Sequence, residues 1–290
     1  MKKTFSILTL FLLFFHSLFS QSLSNLISTN AIDTSTIKNI DIDLTYESIS
    51  FSPIYGDEIV VDLYANNNLM LPVIDIDEGR GLLTIKTSTK GYNATVGDIC
   101  KIAVYIPRDV FFDNINITLV SSTFTIDEVK AKDISIIDRG NKEGRIDIIN
   151  SNFSSLSILS NSSVLNLEKV KAEYIKCFTK DSNIALKNIS SDYFDINTKT
   201  GFISVSLSTI PLATSNITTI SGNIELFVPN ATRSNNIGFT LEVYSNKGEL
   251  NDKINKKKLQ PRLGYTRDIN NGGAIILLSS ERGNIEVSEY

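Results

Sequence analysis

Few residues in this chain could carry out chemistry. The one histidine is His16. It lies in an amino-terminal stretch with the layout of a secretory signal: Lys2 and Lys3, an apolar run from Thr4 to Phe19, then Ser20 before a polar segment. The apolar run is about 16 residues, short of the roughly 20 a spanning helix needs, so a cleaved leader over residues 1–20 is expected. The chain left after cleavage then has no imidazole. That excludes most Ser/His, Cys/His and zinc-site chemistry.

The remaining candidates are carboxylates and thiols. Asp41-Ile-Asp43 and Asp75-Ile-Asp77-Glu78 place acids at i and i+2, on one face of a strand. Such pairs could hold calcium or act as paired carboxylates. The intervening isoleucine instead suggests a half-buried strand with the acids in water. Cys100 and Cys177 could pair in an exported protein, but Cys177 falls on an inward repeat position, so free buried thiols are expected. Tyr46, Phe51 and Tyr55 could line a carbohydrate surface, with core or cap packing the expected use. Asn-x-Ser/Thr sequons at Asn93, Asn116, Asn152, Asn161, Asn188, Asn216 and Asn230 follow from a bias towards Asn and Ser. No cluster of Asp with Arg or Lys recurs at repeat spacing. The sequence thus offers no catalytic, cofactor-binding or metal-binding residue, and reads as a non-enzyme without a cofactor.

Charge narrows the partners. Lys and Arg total 28 against 32 Asp and Glu, and removing Lys2 and Lys3 leaves 26 against 32, or −6. An acidic exported chain is a poor nucleic-acid binder. Lys256-Lys257-Lys258 is the one basic cluster and reads as part of a polar loop over about 250–271. At 42% hydrophobic residues the chain is not disordered.

The elements that must position these residues show as repeats. Five strings share one pattern of Gly or Ser, variable, aliphatic, variable, aliphatic. They begin at Gly144, Ser163, Ser182, Gly201 and Gly222, spaced 19, 19, 19 and 21. Ser122 and Gly283 start further copies, Gly248 a weaker one, and Gly81-Leu-Leu-Thr-Ile85 also fits. Leu156-Ser-Ile158, Ile175-Lys-Cys177 and Phe194-Asp-Ile196 repeat before the small residue. Val170 and Ile189 repeat at a corner. Each unit therefore reads as strand, tight turn, strand, corner. About 19 residues is too short for a strand–helix–strand crossover, at roughly 30, or a propeller blade, at roughly 40. It fits one coil of an all-β solenoid of 19–22 residues per coil, stacked at roughly 4.8 Å.

Stacking predicts apolar columns. One is Ile146, Leu165, Ile184, Ile203 and Ile224, and the next is Ile148, Leu167, Leu186, Val205 and Leu226. Two more are Leu156–Ile175–Phe194 and Ile158–Cys177–Ile196. Gly at the turn is assigned to its tolerance of positive φ. The expected organisation is a leader over 1–20, an irregular N-terminal β cap or first coils over 21–112, and solenoid repeats over 113–290, all one continuous domain. Cap strands are expected at Ile37–Leu44, Ile59–Tyr64, Val73–Asp77, Leu82–Lys86 and Ile102–Ile106.

Three features resemble the bacterial putative-adhesin domain family of unknown function. They are Ser221-Gly-Asn-Ile-Glu-Leu226 and its repeats, Lys101-Ile-Ala-Val-Tyr-Ile-Pro107, and the closing Gly272-Gly-Ala-Ile-Ile-Leu-Leu278 with Arg282-Gly-Asn-Ile-Glu-Val287. The likeness covers most of 37–288. It implies a β-solenoid and no established catalytic residues. The chain departs from the family in carrying Ser for Gly at 122, 163 and 182. The expected function is a non-catalytic adhesin or envelope interaction protein: exported, periplasmic or outside the cell, without a membrane span in the mature chain. Its partners would be a cell-surface, matrix or glycan ligand. An envelope glycan-binding or polysaccharide-cleaving β-helix protein is the alternative.

Overall fold

The computed structural model describes residues 25–45, 47–65, 72–87, 100–120, 122–140, 144–230, 238–254, 256–260 and 262–289. The leader, His16, Tyr46 and Asn93 lie outside them. The described residues contain no helix long and apolar enough to cross a membrane.

Every element among the described residues is a strand, and most strands belong to coils with one strand in each of two sheets, here called B and A. β1 (Asn25–Asp33) precedes the first coil, β2 (Asn39–Thr45) with β3 (Ser48–Ile54). β4 (Glu58–Ala65) and β5 (Val73–Asp77) follow as single strands. The next coils are β6 (Leu82–Lys86) with β7 (Lys101–Pro107), β8 (Phe112–Val120) with β9 (Thr123–Asp127), and β10 (Lys130–Asp138) with β11 (Arg145–Ile149). β12 (Asn152–Ser160) and β13 (Val164–Glu168) continue. β14 (Lys171–Asp181) leads to β15 (Ile184–Thr200), which starts in sheet A, turns the corner and ends in sheet B. β16 (Ile203–Leu207), β17 (Ser215–Ser221) and β18 (Ile224–Val228) complete the regular stretch. The remainder is β19 (Phe239–Ser245), β20 (Leu250–Asp252), β21 (Lys257–Leu259), β22 (Leu263–Ile269), β23 (Ala274–Ser280) and β24 (Ile285–Glu289).

Successive coils pair in parallel and without a slip through most of the stack, as the constant spacing requires. The predicted columns form: Ile146–Leu165–Ile184–Ile203–Ile224 and Ile148–Leu167–Leu186–Val205–Leu226 stack in sheet A. Leu156–Ile175–Phe194 and Ile158–Cys177–Ile196 stack in sheet B. All these residues are buried, and one core runs from Ile32 to Val287. A side chain that fills its own level of the column presents the same surface to the next level, which is why like stacks on like.

The ends depart from sequence order. β2 and β3 sit between the β6–β7 coil and the β8–β9 coil. At the other end β23 and β24 sit between β17–β18 and β19–β20. The stack is then closed by antiparallel strands: β5 on β6, β4 on β7 with β1 outside it, β22 on β19, and β21 on β20. The N-terminal part therefore supplies two full coils as well as closing strands. The polar loop expected at 250–271 instead holds β20, β21 and β22; end strands bury one side at most, so their composition is polar. Gly81-Leu-Leu-Thr-Ile85 belongs to sheet B, where Leu83 and Ile85 stack on Ile40 and Ile42, not with the Gly/Ser strings of sheet A.

The glycine turns also need a correction. Of the glycines in the stacked turn column only Gly201 has a positive φ, at 147°. A Cβ at Gly222 would lie 1.7 Å from the Gly201 carbonyl oxygen, and one at Gly283 would lie 1.6 Å from that of Gly222. Close approach between coils, not φ, requires glycine there. Left-handed backbone falls at the opposite corner, in non-glycine residues once per coil: Glu128, Asn150, Lys169 and Asn188, with φ from 50° to 55°. Each directs the chain so that the next buried side chain, such as Val129, Val170 or Ile189, turns inward.

Candidate functional site

The sequence candidates are scattered by the fold. Asp41 and Asp43 lie on the outer face of β2, with Ile42 buried between them. Asp41 accepts from Asn116 Nδ2 at 3.0 Å, and the surrounding open depression of about 290 Å³ also holds Lys86 and Thr118. Asp75 and Asp77 lie on the end strand β5, where Asp77 pairs with Arg80 at 3.2 Å. Asp75 and Asp41 flank Thr84 in one outer row, two strand spacings or roughly 10 Å apart, too far to share an ion. Among the described residues no group of three or more metal-ligating side chains converges. Phe51 is fully buried, edge-on to Phe124 at 5.8 Å, while Tyr55 is exposed with the Arg108 guanidinium 5.4 Å from its ring centre. Asn116 and Asn161 spend their side-chain amides on Asp41 and on the Arg139 carbonyl, and Asn188 occupies a left-handed corner.

Both cysteines are free and buried. Cys177 packs between Ile158 and Ile196, and burial pushes its thiol up to about 12. Burial, with the nearby Glu47, does the same for Cys100. Glu47 takes a small-residue position in the turn column. Its carboxyl is raised from 4.5 by burial, against a 2.8 Å hydrogen bond from Thr87.

A fifth column escaped the sequence reading because its residues are polar. Asp138, Ser160, Thr179, Thr198, Thr219, Ser280 and Ser245 stack at the end of sheet B and are all buried. Several of their oxygens bind the turn that follows. Ser160, Ser280 and Ser245 accept from the amides of Ser163, Gly283 and Gly248 at 2.9, 2.8 and 3.0 Å. Asp138 accepts from Gly140 N, Ser160 Oγ and Ser163 Oγ. The serines are tolerated here because they satisfy turn amides that no strand can reach, and Thr179 and Thr198 donate to the Ser182 carbonyl; Thr219 Oγ1 has no partner among the described residues. The turn asparagines work the same way from outside: Asn183, Asn223 and Asn284 accept from the amides of Phe202, Asn284 and Glu249.

One solvent-facing surface that carries aligned apolar side chains is the outer face of sheet B. Its middle row runs Asp41, Asn116, Ser135, Ser157, Lys176, Asp195, Asn216. On one side Tyr174 stacks on Tyr193, ring centres 6.2 Å apart. On the other, Ile137, Leu159 and Phe178 form a run over three coils, followed by Asn197 and Thr218. Tyr174, Leu159 and Phe178 are 52%, 47% and 37% exposed. Burial and the charge of Asp195 raise the Tyr193 phenol, so it stays a neutral hydrogen-bonding group. The pairs 174/193 and 159/178 are each 19 apart, so reading outward positions of the repeat would have found this face. A groove of about 430 Å³ adjoins it, lined by Phe111, Phe153, Lys171, Glu173, Ser190 and Asp192. No ion pair joins Lys171 to either acid among the described residues.

The family model for Toastrack DUF4097 matches residues 37–288. The chain belongs to the Toastrack DUF4097 family. The Toastrack domain thus spans both rearranged ends as well as the regular coils. A solved structure named "putative adhesin", from Bacteroides fragilis, is similar over 92% of this chain and 97% of that chain, with 14% identity and a TM-score of 0.55. A second so named, from Parabacteroides distasonis, covers 92% and 98%, with 13% identity and a TM-score of 0.44. The first likeness shows the Toastrack fold alone. A search of curated proteins gives no match.

Proposed function

We propose that the protein is an exported, non-catalytic adhesion or envelope interaction protein that binds through the outer face of sheet B. The observation that carries this is the alignment, over successive coils, of Tyr174–Tyr193 and Leu159–Phe178 beside a row of Ser, Asn, Lys and Asp. Isolated exposed apolar groups are ordinary, but an aligned aromatic and aliphatic strip bordered by polar rows has the make-up of an interface. The adhesin names of the similar solved structures support the same reading. The partner would be a cell-surface or matrix protein.

The tyrosine pair favours a second reading, glycan binding, because a sugar ring can stack on an aromatic face while Asp195, Asn197 and Lys176 reach its hydroxyls. A polysaccharide-cleaving variant of this reading would draw on Asp192 and Lys171 in the adjoining groove. One experiment separates these. The purified protein is screened on a glycan array and on whole cells and matrix proteins, beside Tyr174→Ser/Tyr193→Ser and Leu159→Ser/Phe178→Ser. Cell or matrix binding lost in both variants, with no glycan bound, supports adhesion. Glycan binding lost in the tyrosine variant supports the second reading. Binding unchanged in both variants sinks the sheet B assignment.

A further inference from the structure

The two ends of the stack carry opposite charge. Residues 25–86, which form the β1, β4 and β5 end with its first coils, hold ten acidic residues against three basic. Residues 247–271, which form the β20, β21 and β22 end, hold seven basic residues against three acidic. The exposed members include Glu58, Asp75 and Glu78 at the first end and Lys256, Arg262 and Arg267 at the other.

Both ends also stop with unpaired strands. Among the described residues the outer edges of β1, β5, β21 and β22 have no neighbour. The acidic end leaves apolar side chains in water as well, with Val73 54% and Leu26 54% exposed; the basic end leaves Leu263. Ile76 occupies an inward position opposite buried Leu83 yet stays partly uncovered, because no strand follows β5. An open edge invites another strand, and charge on it selects which. Charges meant only to block pairing could be of either sign at either end. Segregated signs repel acid from acid and base from base, and admit only acid to base.

We propose that the protein stacks end to end with further copies of itself, the basic β21–β22 end of one copy seating on the acidic β1–β5 end of the next. Such a contact is heterologous and leaves a free end at each step, so it propagates into a filament that continues both sheets. Added strands would continue the roughly 4.8 Å spacing, with Arg267 and Arg262 brought opposite Asp75 and Glu78.

The test is sedimentation velocity with negative-stain imaging of the purified protein. At about 0.01 M salt, where screening reaches only beyond roughly 30 Å, the sedimentation coefficient should rise with concentration and rods should appear; at about 1 M salt, with a screening length near 3 Å, they should dissolve. Lys256→Glu/Arg262→Glu/Arg267→Glu makes both ends acidic, and Asp57→Lys/Glu58→Lys/Asp75→Lys/Glu78→Lys, which leaves six acidic against seven basic residues in 25–86, makes both basic. Each variant alone should self-associate at least tenfold more weakly. Because all seven side chains are exposed, unchanged melting curves are expected. Mixing the two variants should restore rods, since every contact again joins acid to base. A native protein that stays monomeric at low salt overturns the proposal. So does self-association that survives charge reversal, or folded variants whose mixture fails to assemble.

Discussion

Gly222→Ala is the substitution that most directly tests how the coils are spaced. The new Cβ would meet the Gly201 carbonyl oxygen at 1.7 Å and its carbon at 2.6 Å, where real Cβ contacts do not fall below 3.0 Å. The oxygen must therefore retreat by the difference of 3.0 and 1.7, about 1.3 Å. It cannot retreat alone. The backbone bonds from Gly201 N to Ser221 O and from Ile203 N to Asn223 O, 3.1 and 3.0 Å long, flank it and would open beyond hydrogen-bonding range. Two buried backbone bonds at about 0.5–1.5 kcal/mol each, with some lost packing above Ile203 and Ile224, give a destabilisation of roughly 2–4 kcal/mol. The same substitution at Ser182, which already carries a Cβ in the same column, should cost under about 1 kcal/mol. Urea unfolding monitored by circular dichroism measures both. Near-equal midpoints for Gly222→Ala and Ser182→Ala would refute the close-approach argument and return the turn glycines to a conformational explanation.

Three further outcomes follow from the stack. Ile184→Asp puts an unpaired charge between Leu165 and Ile203 and should unfold the protein at room temperature or cost more than about 4 kcal/mol, whereas Ala185→Asp on the outer face should change the urea midpoint little. Lys169→Asn should stabilise by about 0.5–1 kcal/mol, because asparagine tolerates the left-handed corner that Asn150 and Asn188 already occupy; thermal melts will show the gain. Glu47 has a folded value raised by burial, so its protonated form adds stability that is complete below 4.5 and lost as pH rises through the folded value. Glu47→Gln should therefore melt higher than the native protein at pH 7, with the gap closing towards pH 4.

The regular coils were legible because a stacked coil must repeat its own length. Leu165, Ile184 and Ile203 sit 19 apart for the same reason that they touch. The ends were not legible, since β2 pairs with β6 across 43 residues and with β8 across 75, and nothing local in Asn39–Thr45 encodes that insertion. Asp252 shows the limit of pattern reading. It closes the weak Gly248 string where an aliphatic was expected, is fully buried next to Val287, and accepts a hydrogen bond from Tyr265 on the closing strand β22. Ser160, Thr179 and Thr198 were passed over because hydroxyls look like surface when the turn amide (for Ser160) or turn carbonyl (for Thr179 and Thr198) they bind is not yet placed. The outer face of sheet B carries the same 19-residue spacing as the core, but periodicity alone does not tell which rows a partner reads.

The inserted last coil has a mechanical consequence. β24 ends at Glu289 and is held by β18 on one side and β20 on the other. A pull on the carboxyl end cannot peel an outermost strand one bond at a time, because the loaded strand lies inside the stack. It must shear two ladders together, one of them five registered residues long, before the chain yields. Tension applied there is spread across neighbouring coils, and the closing strands β21 and β22 stay off the load path.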